Sequence, residues 1–281
     1  MSPSLDDFGG QGFPPEHPDL LDRLALEFVD SGWNVRHMLK SIAASRTYRQ
    51  SSLWNDELRR RDPANRLFAR QNTFRLPAEM IRDSALEISG LLVKQVGGAS
   101  VRPYQPEDYY RHLNFPTRKY SHDKDERQWR RGLYVHWQRQ FLHPMLKAFD
   151  APTREECTAL RSESNTPLAA LTLLNDPTFV EAAKAFAVRI LNECESDNDR
   201  DRIQFALQLA VSRKADDTEV QLLTALLNES RMDYRDNPSA AKEATNVGIK
   251  QPPDSINASE LASWMMVTRA ILNLDETITR N

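Results

Sequence analysis

Residues 165–186 read "NTPLAALTLLNDPTFVEAAKAF". Two prolines stand in this stretch, and proline inside a helix removes a hydrogen bond and clashes with the turn before it. Each, however, directly follows a capping residue: Thr166-Pro167 and Asp176-Pro177. Thr or Asp at the N-cap with Pro at the first helical position is a favoured way to begin a helix. The stretch therefore predicts a joint, with a short helix over about 166–175 and a long one behind it. In the second, Phe179, Val180, Ala183, Phe186, Ala187, Ile190, Leu191 and Cys194 fall at helical spacing. On that spacing Cys194 reads as a small core hydrophobe.

Helical periodicity continues on both sides. Downstream, "DRIQFALQLAVSRK" carries Ile203, Ala206, Leu207 and Ala210 on one face. "DDTEVQLLTALLNESRM" places Val220, Leu223, Leu226 and Leu227 together, with Asp217 as the expected cap, and Asn237-Pro238 starts a weaker helix. "NASELASWMMVTRAILNLDETI" stacks Leu261, Trp264, Met265, Thr268, Ile271 and Leu272. Upstream, "HPDLLDRLALEFVDSG" (Leu20, Leu21, Leu24, Phe28, stopped by Gly32) and "NVRHMLKSIAASRTY" (Val35, Met38, Leu39, Ile42) make a short-looped helical pair. Asp62-Pro63 is expected to open a helix carrying Leu67 and Phe68. Pro77 opens another with Met80, Ile81, Ala85, Ile88 and Leu92 on its stripe. "WRRGLYVHWQRQFLHPM" fits an amphipathic helix or a strand and is assigned to helix; "FDAPTREECTALRSESN" reads as a turn and a short helix. The expected fold is all-α, one mostly helical domain over 1–281, with an irregular lead-in at 1–17 and a long loop region at 94–128.

Composition agrees. Nine glycines in 281 residues is low, and the apolar (40%) and charged (27%) fractions are those of a soluble globular chain large enough for a sizeable core. The net charge of -3 gives no reason to expect nucleic acid as a partner. No apolar run is long enough to insert in a membrane, and the N-terminal stretch lacks a basic segment before an apolar one, so no export signal is read in it. Cys157 and Cys194 are the only cysteines; without CxxC or HExxH no zinc motif is present, and no metal site is assigned.

Four long strings, taken together and in order, carry a family resemblance. They are "HPDLLDRLALEFVDSGWNVRHMLKSIAASRTYRQSS", "DPANRLFARQNTFRLPAEMIRDSALEISGLL", "FDAPTREECTALRSESNTPLAALTLLNDPTFVEAA" and "MMVTRAILNLDETITRN". The chain resembles, from about Phe8 to Asn281, the C-terminal domain of unknown function 1553 of large exported proteins of planctomycetes and related bacteria. That resemblance implies a C-terminal fragment, starting inside the usual domain at "DDFGGQG", whose first partner is the upstream domain of the same parent. Haem would belong to a cytochrome-c-like domain further upstream; this chain has no CxxCH and no cofactor is expected in it. Relatives are usually exported. The family name implies no reaction.

Two segments hold the candidate site residues. In the loop, Tyr104, Gln105, Glu107 and Tyr109 (with Tyr110) are the flat and hydrogen-bonding groups that stack on sugars. In 150–176, Asp150, Arg154, Arg161 and Asn165 bring carboxylate, guanidinium and amide together, with Arg suited to bidentate contacts with an anionic group. The plainer reading makes Thr166 and Asp176 helix caps and the loop a cover over the helices. Cys157 would act as a nucleophile only beside a base such as His136 or His143. His112 and His122, with Asp123 and Asp125, are candidate metal ligands or plain loop residues. Arg127, Arg130, Arg131 and Arg139 interleaved with Trp129, Tyr134 and Trp137 read as a cation–π rim rather than a nucleic-acid groove. Two functions follow. One is a helical structural or interaction module of a larger exported protein. The other is a catalytic or ligand-binding domain acting on polysaccharide, with carbohydrate held in a cleft between 101–115 and 150–176.

Overall fold

A computed structural model of the chain describes residues 10–110, 119–139 and 141–280. The protein is all-α: twelve α-helices stand among the described residues, beside one pair of two-residue strands. The chain divides into two compact units. Unit 1 comprises Met1–Arg75, Cys157–Arg161 and Thr279–Asn281; unit 2 comprises Leu76–Glu156 and Ser162–Ile278.

Unit 1 holds α1 (Pro18–Asp30), α2 (Val35–Ala44), α3 (Asp56–Arg61) and the antiparallel strands β1 (Phe74–Arg75) and β2 (Thr279–Arg280). The Asn34 side chain caps α2 by accepting from His37 N. The helix expected from Asp62-Pro63 does not form. Asp62 instead closes a turn, its carboxylate accepting from Arg66 N and Leu67 N at 2.8 Å each. Asn65 and Phe68 sit at φ +52° and +53°, a backbone that no right-handed helix accommodates.

Unit 2 is built on α7 (Pro177–Glu193) and α11 (Ala258–Leu272), which pack on one another through their buried faces. Around them lie α4 (Ala78–Ile88), α5 (Pro144–Ala148), α6 (Pro167–Asn175), α8 (Asp199–Val211), α9 (Asp217–Asp236), α10 (Pro238–Thr245) and α12 (Asp275–Ile278). The joint forms as its residues dictate: Thr166 caps α6 by accepting from Ala169 N, and Asp176 caps α7 by accepting from Thr178 N. Helix α7 is buried over most of its surface, and Ala182, Ala183 and Ala187 let α11 come close enough for the Thr268 hydroxyl to reach Ala183 O at 2.8 Å. Trp264, fully buried on α11, donates its indole N–H to Glu260.

Several local expectations are corrected. Cys194 is the half-exposed C-cap of α7, not a core residue. The cap of α9 is Asp216, in a reciprocal box with Glu219, rather than Asp217. The described residues of 129–143 are not a helix. They carry 3-10 turns at Glu126–Trp129 and Gly132–Tyr134 and bridges from Arg130 to Val93 and from Val135 to Val101. Gly132 explains part of this: it lies so close to α4 that a Cβ there would come within 2.8 Å of Glu79 Cα, and its N–H donates to Asp83 Oδ1. No helix forms over 150–165 either, because Asp150 and Arg154 sit at φ +55° and +63° and Ser164 bonds back to the Asp150 carboxylate. The described part of 94–128 is irregular apart from the first 3-10 turn; 111–118, including His112, lies outside the described residues.

Candidate functional site

The loop region of unit 2 is held from beneath by charged side chains that the helices bury. Arg82 of α4 is fully buried and donates to Arg130 O at 2.6 Å and to Gln128 O. Burial pulls its pKa below the ordinary value, and Asp83 and Asp176 partly restore it. Arg130, buried in turn, donates to Ala99 O, Gln95 O and Gly97 O and lies over the Tyr134 ring at 4.0 Å. Gln128 donates to Arg102 O. Each side chain thus satisfies loop carbonyls that have no ladder of their own.

Glu181 of α7 does the same for donors. Its carboxylate, 1% exposed, accepts from Tyr104 Oη (2.9 Å), Trp129 Nε1 (3.0 Å), Ile249 N (2.6 Å) and Lys250 N (2.8 Å). Lys184, one turn on, donates to Lys250 O at 2.6 Å and to Val247 O, and burial depresses its pKa. Gly248, at φ +83°, leaves room for this, since a Cβ there would strike the Glu181 carboxylate. Burial, reinforced by Glu181, pushes the Tyr104 hydroxyl well above its usual range.

Above this frame lies a cleft of about 610 Å³. Glu107, Asp108 and Tyr109 line one side, Arg139, Phe141 and Lys147 contribute further wall, and Ala151 and Thr153 complete it. Residues 106–109 of the loop thus line one cavity with Ala151 and Thr153, of a size usual for ligand sites. Tyr109 is fixed by a bond to Leu142 O at 3.0 Å and an edge contact with Phe141. His143 is buried, its Nε2 donating to Tyr104 O at 2.6 Å and its Nδ1 accepting from Met145 N. Burial lowers its pKa to about 4, and with both nitrogens engaged it is no base for a nucleophile.

Of the residues picked from sequence, Glu107 and Tyr109 line the cleft. Tyr104 is engaged with Glu181, and Gln105 is half-buried with its Oε1 lacking a partner. Asp150 is turned to Ser164, and Arg154 stacks on Trp137 at 3.8 Å; neither lines the cleft. Asn165 is exposed just before the α6 cap, and Arg161 belongs to unit 1, half-buried. The carboxylates that line the cleft are Glu107 and Asp108, and none of 150–176 is among its lining residues. The periodicity assigns Arg139 to a cation–π rim and Phe141 to a helix rather than to a site, and Lys147 lies beyond that stretch. Glu181 and Lys184 had a visible signal: two charges inside the otherwise apolar "FVEAAKAFAV", where a helix buried all round has to pair them. Among the described residues no group of three or more His, Cys, Asp or Glu is placed to hold a metal ion, and no helix is long and apolar enough to cross a membrane.

Unit 1 has a different surface. No apolar side chain among its described residues is buried; the buried ones are Asp62, Asn65 and Arg70. Helices α1 and α2 contain no buried residue, and Leu26, Trp33, Val35 and Leu39 are each at least 60% exposed.

The sequence profile of the family described as "Protein of unknown function (DUF1553)" matches residues 1–227. The chain belongs to that family. The DUF1553 match takes in α1 to α8 and the first half of α9, and so both the uncovered helical pair and the cleft. No curated protein and no solved structure matches the chain.

Proposed function

We propose that this DUF1553 chain is a structural and interaction module of a larger bacterial exported protein, and that α1 and α2 form its contact surface towards another part of that parent. One observation carries the reading: unit 1 has helices with apolar faces but buries none of their side chains. A buried Leu or Val side chain contributes about 1.5–3 kcal/mol, so leaving several uncovered forgoes much of a small unit's stability. Covering them with another polypeptide recovers it. The exported parent rests on the family resemblance. Hydrogen exchange tests the reading by comparing the chain alone with the parent polypeptide. Amides of α1 and α2 are expected to gain at least about tenfold protection in the parent. Equal protection in both would overturn it.

A second reading is carried by the cleft. Tyr109 and Phe141 offer an aromatic wall, while Glu107, Asp108, Arg139 and Lys147 offer hydrogen bonds of both kinds, a combination suited to holding carbohydrate. An oligosaccharide panel in a thermal-shift assay tests this. A shift abolished by Tyr109→Ala supports binding at the cleft, and no shift with any sugar counts against it.

A further inference from the structure

Helix α1, the end of α2 and the turn 65–72 enclose a groove of about 430 Å³ in unit 1. Its apolar lining is Leu20 and Leu24 of α1, Ile42 of α2, and Phe68. Phe68 reaches the groove on a left-handed backbone, a strained conformation for a bulky residue that the surrounding turn has to fix. The turn is fixed by the Asp62 carboxylate and by Asn65, whose Nδ2 donates to Arg70 O and to Asn72 Oδ1.

The charged residues of the groove are unbalanced. Arg23 and Arg70 both line it, against Glu27 alone. The Glu27 carboxylate is already engaged by His37 Nε2 at 2.8 Å and Ser41 Oγ at 3.1 Å. Arg70 is nine-tenths buried, stacked on Trp54 at 3.6 Å, with Nη1 on Gln71 O and an Nε that finds no acceptor. A buried guanidinium without a carboxylate is an incomplete arrangement.

We infer that this groove docks an amphipathic helix of a partner polypeptide, one that lays apolar side chains on Leu20, Leu24, Ile42 and Phe68 and sets an acidic side chain against Arg23 and Arg70. The inference rests on the interaction reading above and names the partner's chemistry. A helix suits the site because two helices form its walls and no residue of β1 or β2 lines it, so an extended peptide lying there would have no strand to pair with. The acid follows from charge complementarity, since a carboxylate accepts in the fork geometry that a guanidinium presents.

A random peptide library displayed on phage and selected on the full chain tests this. Enriched sequences are expected to carry apolar residues at helical spacing with Asp or Glu beside them. They should lose at least about tenfold in affinity for the Arg23→Glu and Ile42→Asp variants. Both positions are exposed, so the variants should melt with the parent chain, and a matching melt is required of each. Enrichment without acidic residues overturns the proposal, as does equal binding to the variants or no enrichment at all. Leu26→Asp, outside the groove lining, separates the two ideas. Peptides weakened by Leu26→Asp but not by Arg23→Glu or Ile42→Asp would overturn the groove and leave α1 as a contact surface. If exchange protection in the parent is also unchanged, the interaction reading falls with it.

Discussion

Helices α7 and α11 and the loop segments at 95–104, 128–139 and 141–143 all belong to unit 2 and are held in place by opposite means. The helical pair satisfies its own backbone and buries apolar or small side chains: Phe179, Phe186, Ile190, Trp264, Val267 and Ile271 are all fully enclosed. The loops have few backbone partners among themselves. Arg82, Gln128 and Arg130 supply donors to their carbonyls, and Glu181 accepts from Tyr104, Trp129 and the 249–250 amides. A helical core tolerates changes of shape better than changes of charge. A loop fastened by buried charges depends on each charge, because removing one orphans several groups together.

The largest expected effect follows from that contrast. Glu181→Ala leaves Tyr104 Oη, Trp129 Nε1 and Lys250 N without their acceptor, with Ile249 N keeping only Tyr104 Oη, and should cost about 4–5 kcal/mol. Exchange protection near Tyr104 and at 247–250 should go first, while the α7–α11 amides keep theirs. Uniform loss across unit 2 would show that the two regions do not differ in the way described.

Next comes pH. His143 lies under the loop, buried and neutral, with its pKa lowered to about 4 from an ordinary value of 6.5. The unfolded chain therefore takes up the proton first as pH falls. The neutral state's contribution is complete above about pH 6.5 and is lost progressively down to about pH 4, at most roughly 3 kcal/mol. Denaturant titrations at pH 7 and pH 4.5 measure it, and His143→Gln should flatten this component. An unchanged pH dependence in the variant would assign the effect to other groups.

The same contrast explains what could be read in advance. The caps at Thr166 and Asp176, the stripes of α4, α8 and α9, and the run of α11 are local, and a few neighbouring residues fix them. The region 128–165 is not local. Arg130 sets its conformation by reaching carbonyls more than thirty positions earlier, and Gly132 does so by lying against α4. Apolar periodicity across "WRRGLYVHWQRQFLHPM" could not reveal either contact, and so it read as a helix. For the cleft, Glu107 and Tyr109 were legible as chemistry on a loop, whereas Asp150 and Arg154 were legible as polar groups but not as groups turned to Ser164 and Trp137. The charges at Glu181 and Lys184 were the missed clue.

In the helical pair, Ile190→Val removes one methylene from a fully buried site and should cost about 1 kcal/mol. The denaturant m-value should stay unchanged, since no backbone group loses a partner. A cost near that of Glu181→Ala would mean that shape matters as much to the helices as charge does to the loops.

The smallest effect is expected where the apolar side chains are uncovered. Leu39 is 63% exposed on α2, so Leu39→Glu removes little buried area and creates no cavity. Its stability cost in the isolated chain should stay within about 0.5 kcal/mol, against about 1 for the single methylene at Ile190. In the parent polypeptide the same substitution should cost more, because a charge would then be placed against whatever covers α2. Chemical denaturation of both forms measures the difference. Equal small costs in both would mean that α2 stays bare in the parent, and its apolar face would need another explanation than a contact within that protein.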